Sequence, residues 1–178
     1  MVAESNNTDQ LIAKVADIYD WLDSQIRENA NAGRCNACGA CCDFESFDHH
    51  LFVTTPELIY LAAKLGAENI KQMHTNRCPY NIDGKCSVYE YRFAGCRIFC
   101  CRTDKDFQST LSESALKKFK SLCSQLNIPY QYNKLAAALN SFLAIPYGTY
   151  LSIGKGTFPC GVRRSMYFAP PVSEPNSL

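Results

Sequence analysis

The stretch CNACGACC, residues 35–42, places four cysteines within eight positions, two of them adjacent. A core does not require sulfur there, because leucine or valine fills space without the chemistry. Residues so close in sequence can hardly bridge one another, so a disulfide framework is awkward as well. The stretch reads as part of a metal site, and the chain has to be searched for the remaining ligands.

A second dense segment follows in RCPYNIDGKCSVYEYRFAGCRIFCC, residues 77–101. Thiolates are soft ligands that select zinc, copper(I) and iron–sulfur clusters. Structural zinc takes four ligands in a tetrahedron. A [4Fe–4S] cluster also takes four thiolates, three of them supplied by spacings such as C-x2-C-x2-C. Cys35, Cys38 and Cys41 have that spacing. Cys42 points away from its neighbour if the chain is extended, so the two are expected to serve different centres, or one of them is a spare. Cys78, Cys86, Cys96 and Cys100 add four more sulfurs. Cys101 forms a second vicinal pair and competes with Cys100 for the ligand role. The chain has eleven cysteines, an odd number, so they cannot all pair internally.

The start, MVAESNNTDQ, lacks the basic opening and apolar run of a signal peptide. No run reaches the length of a membrane span. The default compartment is therefore the reducing cytosol, where clustered cysteines act as ligands or reactive thiols rather than structural disulfides. A formal charge of +1 from 18 basic and 17 acidic residues argues against a broad nucleic-acid footprint. It gives no sign of a membrane partner. A protein or small-molecule partner remains open.

Element signals are mainly helical. Residues 1–9 read as a flexible leader. Leu11, Val15, Ile18, Leu22 and Ile26 recur at helical spacing, with Asp9 a possible cap and Gly33 a stop. Residues 44–53 suggest a short extended piece. Thr54 with Glu57 makes a capping box for a helix over 54–66, and Gly66 is its stop. A shorter helix is expected near 67–73. Asp83-Gly84 is a turn signal that sets Cys78 and Cys86 at the ends of a small hairpin. One helical turn would bring Cys96 and Cys100 onto one face. Thr110 and Glu113 suggest a second capping box for a helix over 110–128, and 132–144 reads as another. Residues 147–154 suggest a strand, and 169–178 a flexible tail. The fold class expected is mainly α: a small single domain over 10–168 with irregular cysteine-rich metal-binding loops at 35–101 and a helical part at 110–145.

Other candidates have ordinary alternatives. His49, His50 or His74 could be ligands or bases, though surface or packing roles are commonplace. Asp43, Arg92 and Arg97 could sit behind the sulfurs and tune them. Tyr80, Tyr89 and Tyr91 could shield a site from water. Cys123 lies on the apolar face of its helix and reads as a buried thiol, and Cys160 is unassigned. Gly154-Lys155-Gly156 is not a P-loop, and no G-x-G-x-x-G fingerprint is present. Arg163, Arg164 and Lys155 form a small basic group that reads as a solvated face.

Taken together, Cys35, Cys38, Cys41 and Cys42, then Cys78-Pro79-Tyr80, then Gly84, Cys86, Tyr89 and Arg92, then Cys96-Arg97 and Phe99-Cys100 resemble the cysteine-cluster family described as a zinc- or iron-chelating domain. The resemblance spans about residues 35–101. Phe93 stands where that family usually has proline. The family is similar to the cysteine-rich part of bacterial flagellin lysine methylases, which implies an iron–sulfur cluster with a redox, sensing or cluster-dependent enzymatic role. A structural zinc module for protein interaction and a metal chaperone or store are the alternatives. The eight expected ligands are Cys35, Cys38, Cys41, Cys42, Cys78, Cys86, Cys96 and Cys100.

Overall fold

The structure, a computed structural model, describes residues 2–29, 35 and 37–144. Helix α1, Val2–Glu28, starts well ahead of Leu11. Leu11, Val15, Ile18, Tyr19 and Leu22 form its buried stripe, repeating at the spacing that keeps one helical face inward. Helix α4, Lys105–Gln125, buries Leu111, Ala115, Phe119, Leu122 and Cys123. Its start is set by Asp104, whose side chain accepts from Phe107 N at 2.9 Å. The Thr110–Glu113 pair expected to cap it therefore lies inside the helix. An N-terminus is fixed by whichever residue satisfies the free N–H groups, and Asp104 does so six residues before Thr110.

Helix α2, Thr55–Leu65, follows directly from strand β1, Phe52–Thr54. It is buried on opposite sides. Ile59 and Tyr60 join α1, α4 and Ala94 and Ile98 of the short helix α3, Ala94–Ile98. Leu58, Leu61 and Ala62 join a second core containing Phe44, Val53, Tyr80, Val88 and Phe93. Leu135, Ala138, Leu139 and Phe142 of the last described helix, α5, Leu135–Ala144, complete that second core.

Strands β2, Asn81–Ile82, and β3, Lys85–Cys86, pair antiparallel around Asp83-Gly84. Both turn residues have positive φ, 50° and 77°, the geometry of the hairpin turn that Asp-Gly favours. Strand β4, Tyr132–Lys134, pairs antiparallel with β1 in the register Phe52↔Lys134, Val53↔Asn133, Thr54↔Tyr132. The pairing is extended by Leu135 N donating to Leu51 O at 2.8 Å and Thr55 N to Gln131 O at 3.1 Å.

Several expectations are corrected here. The architecture is mixed, helices with two small antiparallel sheets, rather than mainly α. Residues 132–134 are strand, not the start of a helix. Strands of two or three residues are too short to show a period-2 pattern, and their partner is distant in sequence. A 3-10 turn, Ala67–Asn69, replaces the helix expected over 67–73. Helix α3 ends at Ile98, so Cys96 and Cys100 do not share a helical face. The strand expected at 147–154, the tail at 169–178, the basic group and Cys160 lie outside the described residues.

One buried carboxylate fastens the two cores. Glu57 is only 2% exposed. Its Oε2 accepts from Thr54 N at 2.8 Å and Thr54 Oγ1 at 2.7 Å, which completes the capping box of α2. Its Oε1 accepts from Ala94 N, the first residue of α3, at 2.7 Å, and from Tyr19 Oη at 3.4 Å. Burial raises its pKa, while bonds from Ala94, Thr54 and Tyr19 act against that rise. The expected capping box is present, and the same side chain also caps a second helix.

Candidate functional site: a cysteine-lined cavity

The loop after α1 turns at Gly39, whose φ is 68°. A Cβ there would collide with the carbonyl of Gly84. Asn81 Nδ2 donates to Gly39 O at 2.9 Å, and Asn81 Oδ1 accepts from Gly84 N at 3.1 Å. The turn of the β2–β3 hairpin thereby seats the cysteine loop. A 3-10 turn, Ala40–Cys42, follows, with Cys42 N donating to Gly39 O at 3.1 Å.

The next residues form a backbone ladder. Asp43 and Arg77 make an isolated antiparallel bridge. On either side, Cys78 N donates to Cys42 O at 2.8 Å and Phe44 N donates to Asn76 O at 2.9 Å. In this register Cys42 and Cys78 stand opposite each other on one face. Opposed residues in such a pair have Cα atoms about 4.5–5.5 Å apart, within the range of about 4.4–6.8 Å that a disulfide spans. Adjacent residues such as Cys41 and Cys42 are about 3.8 Å apart, which is too close.

A cavity of about 340 Å3 opens beside this ladder. Its wall takes Cys35, Cys38, Cys41 and Cys42 from the first segment. From the second it takes Cys78, Cys86, Cys96, Cys100 and Cys101. All eight cysteines expected from the sequence therefore face one space, and Cys101 joins them. Cys123, on α4, is 1% exposed and is not part of the cavity wall. All ten described cysteines are free thiols.

The thiols differ in charge preference. Cys42 is held well below the ordinary thiol range, first by a hydrogen bond from Cys41, then by one from Cys78, with help from Asn81 and Arg77. Cys41 and Cys78 are pushed up, chiefly because their protons serve Cys42. Donors on both sides of Cys42 thus favour charge on that sulfur over Cys41 and Cys78. Burial pushes Cys96 up to about 12 and Cys123 up to about 11. Burial also raises Cys86.

Of the neighbours expected behind the sulfurs, Arg92 lines the cavity and its charge acts against the rise of Cys86 and Cys96, whereas Arg97 and Asp43 are engaged elsewhere. Arg97 pairs with Asp23 at 2.7 Å, donates to the carbonyls of Arg92 and Glu90, and lies over the Tyr19 ring at 4.2 Å. It fastens α3 to α1. Arg92 donates to Tyr89 O at 2.9 Å and stacks on the Tyr89 ring at 3.8 Å. Asp43 Oδ1 accepts from Ser46 N at 3.1 Å. His74 is exposed. His49 stacks on Phe99, with centroids 5.1 Å apart and planes at 14°, and meets the edge of Phe44. Its Nδ1 is buried without a hydrogen-bond partner among the described residues.

The metal reading is corrected on this geometry. Among the described residues no group of three or more His, Cys, Asp or Glu side chains is arranged to hold a metal ion. Ligand sulfurs must meet about 2.3 Å from a common centre. Here they are spread along the walls of a cavity. The iron–sulfur cofactor, the zinc alternative and the metal-storage role that followed from them are therefore set aside. Cys41 and Cys42 do not diverge toward separate centres either, because both line the same cavity. No family model, no curated protein and no solved structure matches the chain, so the resemblance to the cysteine-cluster family is not upheld. No described helix is long and apolar enough to cross a membrane.

Sequence spacing located the sulfurs and missed their mutual arrangement. It also missed Glu57 as a shared cap and the His49–Phe99 stack. No local pattern encodes either one, since both depend on contacts between distant segments.

Proposed function

We propose that the chain is a thiol–disulfide exchange protein whose working pair is Cys42 and Cys78. The observation that supports it is their opposition across the Asp43–Arg77 bridge, at the wall of a cavity that opens to solvent. The Cys42 thiolate attacks one sulfur of a substrate disulfide. A bond forms between Cys42 and that sulfur, the substrate S–S bond breaks, and the departing thiolate takes a proton from water. Cys78 then loses its proton and attacks Cys42. The second substrate thiolate leaves, and a Cys42–Cys78 disulfide remains. One disulfide has been reduced to two thiols, and one dithiol has been oxidised. A reducing cytosol would return the pair to its starting state.

Cys41 acts in this scheme as a proton donor that keeps the charge on Cys42. Cys35, Cys38, Cys86, Cys96 and Cys100 line the space that admits the substrate. The partner is a small molecule or an exposed cystine of a protein.

The test uses the full reduced chain with hydroxyethyl disulfide, followed by peptide mapping in mass spectrometry. The expected product is a Cys42–Cys78 bridge. Cys78→Ser is expected to stop at a mixed disulfide on Cys42, and Cys42→Ser to leave the substrate intact. A mixed disulfide that forms first on Cys101, with Cys42 untouched, would sink the proposal. So would thiols that become reactive only after a strong chelator is added.

A further inference from the structure

The wall of the cavity is unusual in what it lacks as well as in its sulfurs. Among the described residues no Asp or Glu lines it, whereas Arg92 and Arg102 do. Four large hydrophobic residues are exposed among those described: Phe47, Ile82, Tyr89 and Tyr132. Three of them, all but Ile82, border this one cavity. Scattered exposed apolar residues are ordinary, but a set gathered at one opening marks a binding face. The aromatic character continues inward. Phe52 and Tyr132 pack with centroids 5.2 Å apart, and the His49–Phe99 stack forms part of the wall.

These features specify a ligand. Flat rings meet a planar group with large contact and little entropy cost. Two guanidinium groups with no opposing carboxylate favour an anion, and Arg pairs with a carboxylate through two parallel hydrogen bonds.

Building on the exchange reading above, we propose that the preferred substrate is a small disulfide whose sulfur is carried on an aromatic ring bearing an acidic group. Attack by Cys42 releases one arylthiolate and leaves the other arylthio group on Cys42. Cys78 displaces it, giving a second arylthiolate and a proton to solvent, so two leave per chain.

The probe is 5,5′-dithiobis(2-nitrobenzoate), with 2,2′-dithiodipyridine as an uncharged aromatic, hydroxyethyl disulfide as a neutral aliphatic and cystamine as a cationic aliphatic. Each rate is divided by the rate of 2-mercaptoethanol with the same disulfide, which removes intrinsic reactivity. The acidic aromatic is expected to exceed cystamine by at least about tenfold on this scale, with the uncharged aromatic between them. Raising the salt concentration should compress the acidic preference, because screening weakens partly exposed charges. Arg102→Glu, at an exposed position, should reduce the ratio of the acidic to the uncharged aromatic rate by several-fold. A ranking equal to that of 2-mercaptoethanol would overturn the inference and leave exchange itself intact. So would an acidic preference unchanged by salt and by Arg102→Glu. Failure to react with any of the four disulfides would remove the exchange reading and this inference together.

Discussion

Replacing Glu57 with glutamine tests the claim that a single carboxylate caps two helices. The glutamate oxygens accept from two backbone N–H groups, those of Thr54 and Ala94, and from the hydroxyls of Thr54 and Tyr19. A hydroxyl can rotate and accept from an amide, but a backbone N–H cannot. Whichever way the glutamine amide is turned, its NH2 faces one of the two N–H groups. That leaves a buried donor unpaired, at a cost of about 1–3 kcal/mol. Relief of charge burial offsets part of it, so a net loss of about 2 kcal/mol is expected at neutral pH. For a domain of this size that lowers Tm by about 4–8 °C. Glu57→Ala strands both donors and should cost about 4 kcal/mol. The sign of the pH dependence is fixed as well. The folded pKa of Glu57 is raised by burial, so its favourable contribution is fully present below the unfolded value, about 4.3. It fades as pH rises through the folded value. The gap between wild type and Glu57→Gln should therefore narrow from pH 4 to pH 7. Denaturant melts at several pH values measure it. A glutamine variant as stable as wild type throughout would refute the two-helix cap.

Four further outcomes follow from the same geometry. Closing Cys42 to Cys78 ties off a loop of some 37 residues, which chain entropy values at about 3–4 kcal/mol before strain; oxidised protein should melt higher than reduced, and a lower Tm would mean that the opposition is distorted. Alkylation of Cys42 by iodoacetamide should hardly slow between pH 8 and pH 6, since its thiol is held low, whereas a free thiol loses about tenfold per unit; a tenfold loss at Cys42 would refute the charge preference of that sulfur. Gly39→Ala should dislodge the cysteine loop, because the added methyl meets the Gly84 carbonyl, and should lower the yield of the Cys42–Cys78 bridge while α1 and α4 keep their helical signal. Cys123→Ser should cost about 1–3 kcal/mol by burying a hydroxyl in an apolar core and leave exchange intact; abolished exchange would place Cys123 in the site.

The sequence was informative wherever one short segment determines the outcome. The stripe of α1, the Thr54–Glu57 capping box and the Asp83-Gly84 turn are local, and each is legible in a few residues. The density of Cys35–Cys42 and Cys78–Cys100 likewise marked the segments that wall the cavity. The contents of the site were not legible, because a metal cage and a thiol-lined cavity use the same residue types. What separates them is whether sulfurs converge on a point, and that depends on the Asp43–Arg77 bridge and on the seating of Gly39 over Gly84. Arg97 is the clearest misreading: placed beside the sulfurs by proximity in sequence, it is drawn instead to Asp23 and Tyr19 on α1.

Helix α2 has one core on each side, and this divides the molecule into parts that need not open together. The α1–α4 side contains neither working thiol, so its slowest-exchanging amides should be indifferent to oxidation. The other side shares its interior with Cys78, Cys86 and Cys96, and its local opening is where a new covalent link would register. Such cooperative units are resolved by native-state hydrogen exchange. Oxidation would then quieten fluctuations from the cysteine loop through the β2–β3 hairpin to α5, turning the redox state of two sulfurs into a change in motion about sixty residues farther along the chain.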